Sequence, residues 1–286
     1  GASRDICSPT SDEDEEAIAE AETLIDKARA GDAYAQAVLA RWHLIGSNGA
    51  GLDDRIAFRL GMVSSRKGSV LGIATLAKMY NEGLGVERND LCAKLLAQEA
   101  VDGLHALAEE GDIYAQVALG YVLSLLKDKG ISHRLIKEDS STMLYQKEWV
   151  QRAADQGYPP AMSLLGGMHI FNQDRASGVK MLKQAAIDGY PNSVWRLYLC
   201  TADSATTAAK VKLLLRSANQ GHPMSMLELG SLYANSDSDD FERDPFAAAY
   251  WYRRAMNNDH ELASYAYNGI LERLEKELKH VKPSDR

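Results

Sequence analysis

Two consecutive units in this chain can be read against each other residue by residue. The first opens Gly157-Tyr158-Pro159-Pro160-Ala161-Met162-Ser163-Leu164-Leu165-Gly166 and closes Lys183-Gln184-Ala185-Ala186-Ile187-Asp188-Gly189. The second opens Gly189-Tyr190-Pro191-Asn192-Ser193-Val194-Trp195-Arg196-Leu197 and closes Arg216-Ser217-Ala218-Asn219-Gln220-Gly221. Both run 32 residues from glycine to glycine, 157 to 189 and 189 to 221. A unit that short cannot bury an apolar face by itself, so self-similarity at this period implies stacked supersecondary units that bury one another. Alanine- and leucine-rich segments with only 7 prolines make those units helical.

Extending the ruler in both directions divides the chain. Residues 1–13 read as a disordered acidic leader and 14–30 as a capping helix with Ile18, Ala21, Leu24, Ile25 and Ala28 on one stripe. Residues 31–258 read as the repeat array, in units of about 31–67, 68–110, 111–156, 157–188, 189–220 and 221–258. Residues 259–280 read as a C-terminal capping helix and 281–286 as a charged tail. The third unit runs 46 residues, 111 to 157, and its excess falls in the basic inter-helix stretch Lys127 to Lys137. The sixth carries an acidic loop, Asp237 to Glu242, and closes on Asp259 where the others close on glycine.

Numbered from the opening glycine, the eighth residue on is Leu39, Leu76, Leu119, Leu165, Leu197, Leu229 and Tyr267, the expected buried knob of each first helix. The next position is mostly Ala or Gly, which lets helix axes approach closely, and Tyr198 breaks that rule in unit five. The fourth position (Ala35, Gly72, Ala115, Ala161, Ser193, Ser225, Ala263) is small throughout and lies one turn before the knob, on the same side. Pro159, Pro191 and Pro223 suit a first helical turn, where a missing N–H costs nothing.

Several stretches recur in register: Ala115-Gln116, Gly83-Leu84-Gly85-Val86, Trp149-Val150-Gln151-Arg152-Ala153-Ala154-Asp155-Gln156-Gly157 and Trp251-Tyr252-Arg253-Arg254-Ala255. Together they resemble the Sel1-like repeat family, over about Gly31 to Asp259. The resemblance implies an all-α, right-handed superhelical solenoid of six tetratricopeptide-like helix pairs with helical caps. It also implies a non-catalytic scaffold or adaptor of bacterial cytoplasm, periplasm or secretion, which binds a protein or peptide through the concave face formed by the first helices.

Composition narrows the classes. The net charge is −8, and residues 1–30 hold nine acids and three bases, so the rest of the chain is near balance. A nucleic-acid groove would need a basic face, and none is visible. No apolar run approaches the roughly 18 residues of a membrane span. Cys7, Cys92 and Cys200 lack metal or redox spacing. The chain opens Gly1-Ala2-Ser3 without an initiator Met, which leaves a removed signal or anchor open.

Catalytic chemistry finds no foothold. Of the seven histidines, no two stand in His-x3-His spacing, and neither a Gly-x-Ser-x-Gly elbow nor a phosphate loop is present. The glycines at 83 and 85 belong to an inter-helix turn. His43 and His169 occupy the slot of Tyr80 and Tyr233 and read as packed rings, and Trp149 and Trp251 as core. No cofactor and no metal is expected. Trp42 and Trp195 match no repeat position and, with Arg41 and Arg196 beside them, are the nominated partner contacts, competing with a packing role between units. Lys78, Met79, Tyr121, Met168 and Glu228 complete the nominated concave face. Rival readings are an immunity-type inhibitor that occludes an enzyme and an envelope glycan-binding scaffold. A homodimer through Tyr265, Ile270, Leu271, Leu274 and Leu278 of the last helix is a further expectation.

Overall fold

The computed structural model describes residues 12–48, 50–136, 142–187, 190–202, 205–236, 238–256 and 261–280. Among them are fourteen helices and no strand. Helix α1 (Asp12–Arg29) precedes six pairs: α2 (Ala33–Ile45) with α3 (Asp54–Arg66), α4 (Val70–Glu82) with α5 (Asp90–Glu109), and α6 (Ile113–Asp128) with α7 (Thr142–Asp155). Then come α8 (Pro159–Phe171) with α9 (Arg175–Ile187), α10 (Pro191–Thr201) with α11 (Thr207–Asn219), and α12 (Pro223–Asn235) with α13 (Pro245–Met256). Helix α14 (Glu261–His280) ends the stack. Each helix packs on the next in sequence, and α2, α4 and α6 also pack side by side as an inner layer. The fold is an all-α solenoid of helix pairs.

One backbone turn joins each pair to the next. At Gly31, Gly68, Gly111, Gly157 and Gly221 the chain enters the left-handed region, with φ of 95°, 83°, 98°, 81° and 96°. There the following N–H reaches back across the helix end: Asp32 N–H to the Lys27 carbonyl at 2.9 Å, Asp112 to Leu107 at 3.1 Å, Tyr158 to Ala153 at 3.1 Å, His222 to Ser217 at 3.2 Å. This is the Schellman closure that satisfies otherwise orphaned carbonyls. The residue carrying that N–H then caps the next helix. Asp32 accepts from Ala35 N–H at 2.7 Å and Asp112 from Ala115 N–H at 2.6 Å, whereas Tyr158 and Tyr190 are followed by proline and make no side-chain cap.

The Ala-Gln pair acquires a reason. Gln36 donates to the Ala28 carbonyl at 3.0 Å and Gln116 to the Ala108 carbonyl at 3.1 Å, in both cases three residues before the closing glycine. The two glutamine oxygens then accept from Lys67 at 3.2 Å and Gln156 at 3.1 Å, each the residue before the next closing glycine. The slot shared by His43, Tyr80, His169 and Tyr233 is likewise structural. Its carbonyl accepts the N–H that starts the second helix: Asp53, Asn89, Asp174 and Asp244, at 2.8 to 3.0 Å.

The small positions pack as read, against two different neighbours. A side chain at Gly72 would collide with Ser64 of the preceding pair, so position four faces backwards. A side chain at Gly166 would stand 3.0 Å from the Gly178 carbonyl of its own pair, so position nine faces forwards. Leu76, Leu119, Leu165 and Leu229 are buried, while Leu39, Leu197 and Tyr267 are half-buried. In unit five it is Tyr198, not Leu197, that is buried. Its ring stacks on Trp195 at 5.3 Å, and its hydroxyl bonds Glu228 at 2.5 Å. Of the α1 stripe, Ile18 is exposed and the rest turns inward.

The basic loop of unit three is spent on its own neighbour: Lys129 pairs with Asp90 at 2.9 Å and Arg134 with Asp102 at 2.5 Å, both on α5. In the acidic loop Asp240 accepts the Ala208 N–H at 3.0 Å. On α14, Ile270 and Leu274 are buried and Tyr265 and Leu271 face out, so the expected apolar stripe is divided between two sides; the side chain of Leu278, like Cys7, Lys137, Asp237 and Asp259, lies outside the described residues.

The α8–α9 contact supports a test of sign. Helix propensity favours alanine over glycine by about 1 kcal/mol. At Gly178, however, a Cβ would stand 2.6 Å from the Gly166 carbonyl and 3.1 Å from the Ile170 nitrogen, backbone atoms that cannot swing aside. Gly178→Ala is therefore expected to destabilise by about 1–3 kcal/mol, read as a lower denaturation midpoint in urea. A gain in stability would show that the two helices are not held this close.

Candidate functional site

The turn between α2 and α3 does not point away from the stack. A side chain at Gly46 would stand 3.1 Å from Pro191 Cγ, and one at Gly221 would stand 3.3 Å from the Leu52 nitrogen. The first unit thus touches the start of the fifth and the sixth, and the superhelix closes on itself. Between these walls lies a cleft of about 550 Å³, bounded by Leu52 to Arg55, Lys78, Glu82, Ser163, Leu164, Tyr190, Asn192, Arg196 and His222 among others.

The inner stripe of the first helices runs through positions three, seven and ten of each unit, a spacing that keeps them on one helical face. In units one to three it carries Tyr34, Val38 and Arg41, then Leu71, Thr75 and Lys78, then Tyr114, Ala118 and Tyr121; most of these are buried. In the later units it carries Pro160, Leu164 and Gly167, then Asn192, Arg196 and Leu199, then Met224, Glu228 and Ser231. The cleft is bordered by Lys78, Leu164, Asn192 and Arg196 of this stripe.

The nominated residues separate accordingly. Trp42 is 2% exposed, and its indole N–H donates to the Tyr114 hydroxyl at 3.2 Å, clamping unit one to unit three. Beside it the Tyr34 hydroxyl bonds Asp112. Met79 is fully buried under the first inter-helix turns, and Arg41 is buried as well. Trp42 and Arg41 are covered by later units and Met79 by the core between the first two units, so all three are interior residues. Met168 is half-buried against the cluster around Leu165.

Lys78 and Arg196 line the cleft. Lys78 pairs with Glu82 at 2.6 Å and lies over the Tyr121 ring at 4.5 Å, whose hydroxyl accepts from Asn81 at 2.9 Å. Burial and the nearby Glu82 carboxylate hold the Tyr121 hydroxyl well above the ordinary phenol range. Arg196 donates through Nε to Asn192 at 2.8 Å, and its Nη1 occupies the space a side chain at Gly167 would need. Trp195 is half-buried behind it, stacked on Tyr198 and tilted over His222 at 5.7 Å. Glu228 accepts from Tyr198. Lys78 thus borders the cleft from unit two and Arg196 from unit five.

Sequence reasoning missed Ser163, Leu164, Tyr190, Asn192, His222 and the Leu52–Arg55 segment. Tyr158, Tyr190 and His222 share one register, directly after the closing glycine. That ladder was visible as a helix-start signal, and its use as a lining was not.

His222 is buried, and its Nδ1 accepts the Ser225 N–H at 3.3 Å. Burial pushes its pKa down from 6.5 to about 4. The unfolded chain therefore takes up a proton that the folded one refuses. The stabilisation is complete above about pH 6.5 and is lost as pH falls from there through about 4, a loss on the order of 3 kcal/mol. His222→Asn keeps a capping side chain and removes the titration, so its stability should fall less between pH 7 and pH 4.5 in denaturant titrations. Equal falls would remove His222 from the acid response.

The class of protein is thus a closed α-solenoid with an internal cleft of mixed polar and apolar lining. The Sel1 repeat family model matches residues 33–60, 72–102, 147–158 and 223–260. The matched stretches leave out α6 and α8 to α11, although these helices pair in the same way. No curated protein matches the sequence. Similar solved structures include c5321, a protective antigen of uropathogenic Escherichia coli with an SLR fold (21% identity, TM-score 0.48), covering 90% of this chain and 53% of that one. Others are a Sel1 repeat protein from Oxalobacter formigenes (20%, TM-score 0.47, 86% and 78%) and the immunity protein Pa5087 from Pseudomonas aeruginosa (15%, TM-score 0.46, 90% and 86%). The chain therefore spans about half the length of c5321. Sel1 repeats typically mediate protein–protein interaction and are generally non-catalytic. Among the described residues, no helix is long and apolar enough to cross a membrane, and no His, Cys, Asp and Glu cluster could hold a metal ion.

Proposed function

We propose that this chain is a non-catalytic adaptor that holds a partner protein or peptide in the cleft inside the superhelix. The observation that carries this reading is the exposure of the inner stripe. It is largely covered in units one to three, and it comes to the surface in the cleft at Lys78, Leu164, Asn192 and Arg196. A stripe that served only to pack the stack would stay covered throughout. Leu164 keeps 37% of its surface exposed, and with Leu44, Ile45, Leu52, Leu84 and Pro223 it gives the lining its apolar contacts.

Photo-crosslinking from two positions tests the reading. A benzophenone amino acid at Leu164 reports the cleft, and one at Leu95, 56% exposed on α5, reports the outer layer. In lysate of the source organism, one defined protein should crosslink from position 164, and the yield should fall when Arg196→Glu is added. The same proteins captured equally from both positions, or capture indifferent to Arg196→Glu, would overturn the proposal.

A further inference from the structure

Buried polar atoms without hydrogen-bond partners gather at the closure of the superhelix. Among the described residues they include Arg41 Nε, Tyr158 Oη and Ser163 Oγ, in side chains that are 7%, 6% and 2% exposed. Arg41 comes from unit one and Tyr158 and Ser163 from unit four, and the Arg41 guanidinium lies near the Tyr158 hydroxyl. Ser163 lines the cleft, as do Tyr190 and Arg196.

The charged groups lining the cleft balance in number, Asp53, Asp54 and Glu82 against Arg55, Lys78 and Arg196, but their pairing is uneven. Arg41 forms no ion pair with a carboxylate among the described residues, and Arg196 bonds only the neutral Asn192. Lys78, across the cleft, already has Glu82 at 2.6 Å, and Asp53 is engaged in capping α3 through the Ile56 N–H at 2.9 Å. Tyr190 is the link between the two guanidinium groups. Burial raises its pKa to about 12, while the nearby Arg196 and Arg41 charges oppose the rise, so the hydroxyl stays protonated and able to donate. Leaving a guanidinium buried without a counter-charge costs several kcal/mol, and an entering anion offsets that cost.

We propose that the inner end of the cleft is a carboxylate-binding site. Arg196 offers the group its planar fork, held in place by Asn192 and by the space at Gly167. Arg41, beside the Tyr158 hydroxyl, supplies a second positive charge near Tyr190, and the hydroxyls of Ser163 and Tyr190 are the remaining donors. A guanidinium matches a carboxylate in two parallel hydrogen bonds, which a chloride ion cannot reproduce. The group can arrive on a small organic acid or at the C-terminus of a peptide, and the site stands whether or not the adaptor reading holds.

Calorimetric titration of the whole chain at constant ionic strength separates these cases, with acetate, N-acetyl-diglycine and N-acetyl-diglycine amide as probes and sodium chloride as the control. N-acetyl-diglycine should bind saturably and its amide should not. Acetate binding equally well would mean that a free acid suffices, and acetate failing while the peptide binds would assign the site to peptide termini; both outcomes support the site. Arg196→Gln should weaken binding by about ten-fold or more. Arg196→Lys, which keeps the charge and loses the fork, should recover little of it. Gly167→Ala, which leaves both arginines in place but takes the seat of Nη1, should also weaken binding, with circular dichroism confirming the fold. Flat titrations for every carboxylate, equal binding of the amide, full competition by chloride, or affinity indifferent to Arg196→Gln would each overturn the proposal.

Discussion

The turn at each closing glycine sets what every other residue can do. The N–H beyond the glycine must reach the carbonyl five residues back, and that fixes the angle at which one helix leaves and the next begins. Once that angle repeats, position four meets the preceding pair, as at Gly72 and Ser225, and position nine meets its own partner helix, as at Gly166 and Gly230. The small residues at those positions are consequences of the turn, as is the glutamine that Gln36 and Gln116 contribute to the carbonyls just before it. Hydrophobic burial supplies most of the stability, but it is non-directional. Direction comes from this one backbone closure.

The repeat unit was legible in the sequence because its requirements are local. A left-handed residue, a cap and a small residue each leave a mark at a fixed offset, and the His43, Tyr80, His169 and Tyr233 slot was recognisable as one position. What could not be read was the outcome of summing small rotations over five units. Trp42 and Arg41 look like surface anchors when unit one is considered with its neighbours, because the residues that cover them, Tyr114, Tyr158 and Tyr190, lie 72 or more positions along the chain. Tyr198 was legible as an exception and not as a solution: a large ring at a small position can be absorbed if a neighbour such as Trp195 stacks on it.

The same summation explains why part of the site was found and part missed. Lys78 and Arg196 sit on the inner stripe, which the helical period alone can identify. Ser163 and Tyr190 join them only because the stack curls far enough for units one and two to face units four to six. The nomination of Met79 failed for a more ordinary reason: it lies one residue past the stripe, where the helix turns into its core.

Closure also changes how the array should behave as a polymer. An open solenoid is a one-dimensional system in which each unit answers only to its neighbours, so folding can start anywhere and fray from the ends. Here Gly46 touches Pro191, and Leu52 touches Gly221. These contacts join segments more than 140 residues apart in the chain. Such contacts repay their loop-closure entropy only when the intervening units are in place. The ends of the stack therefore share one fate, and the molecule behaves less like a zipper than like a clasped ring.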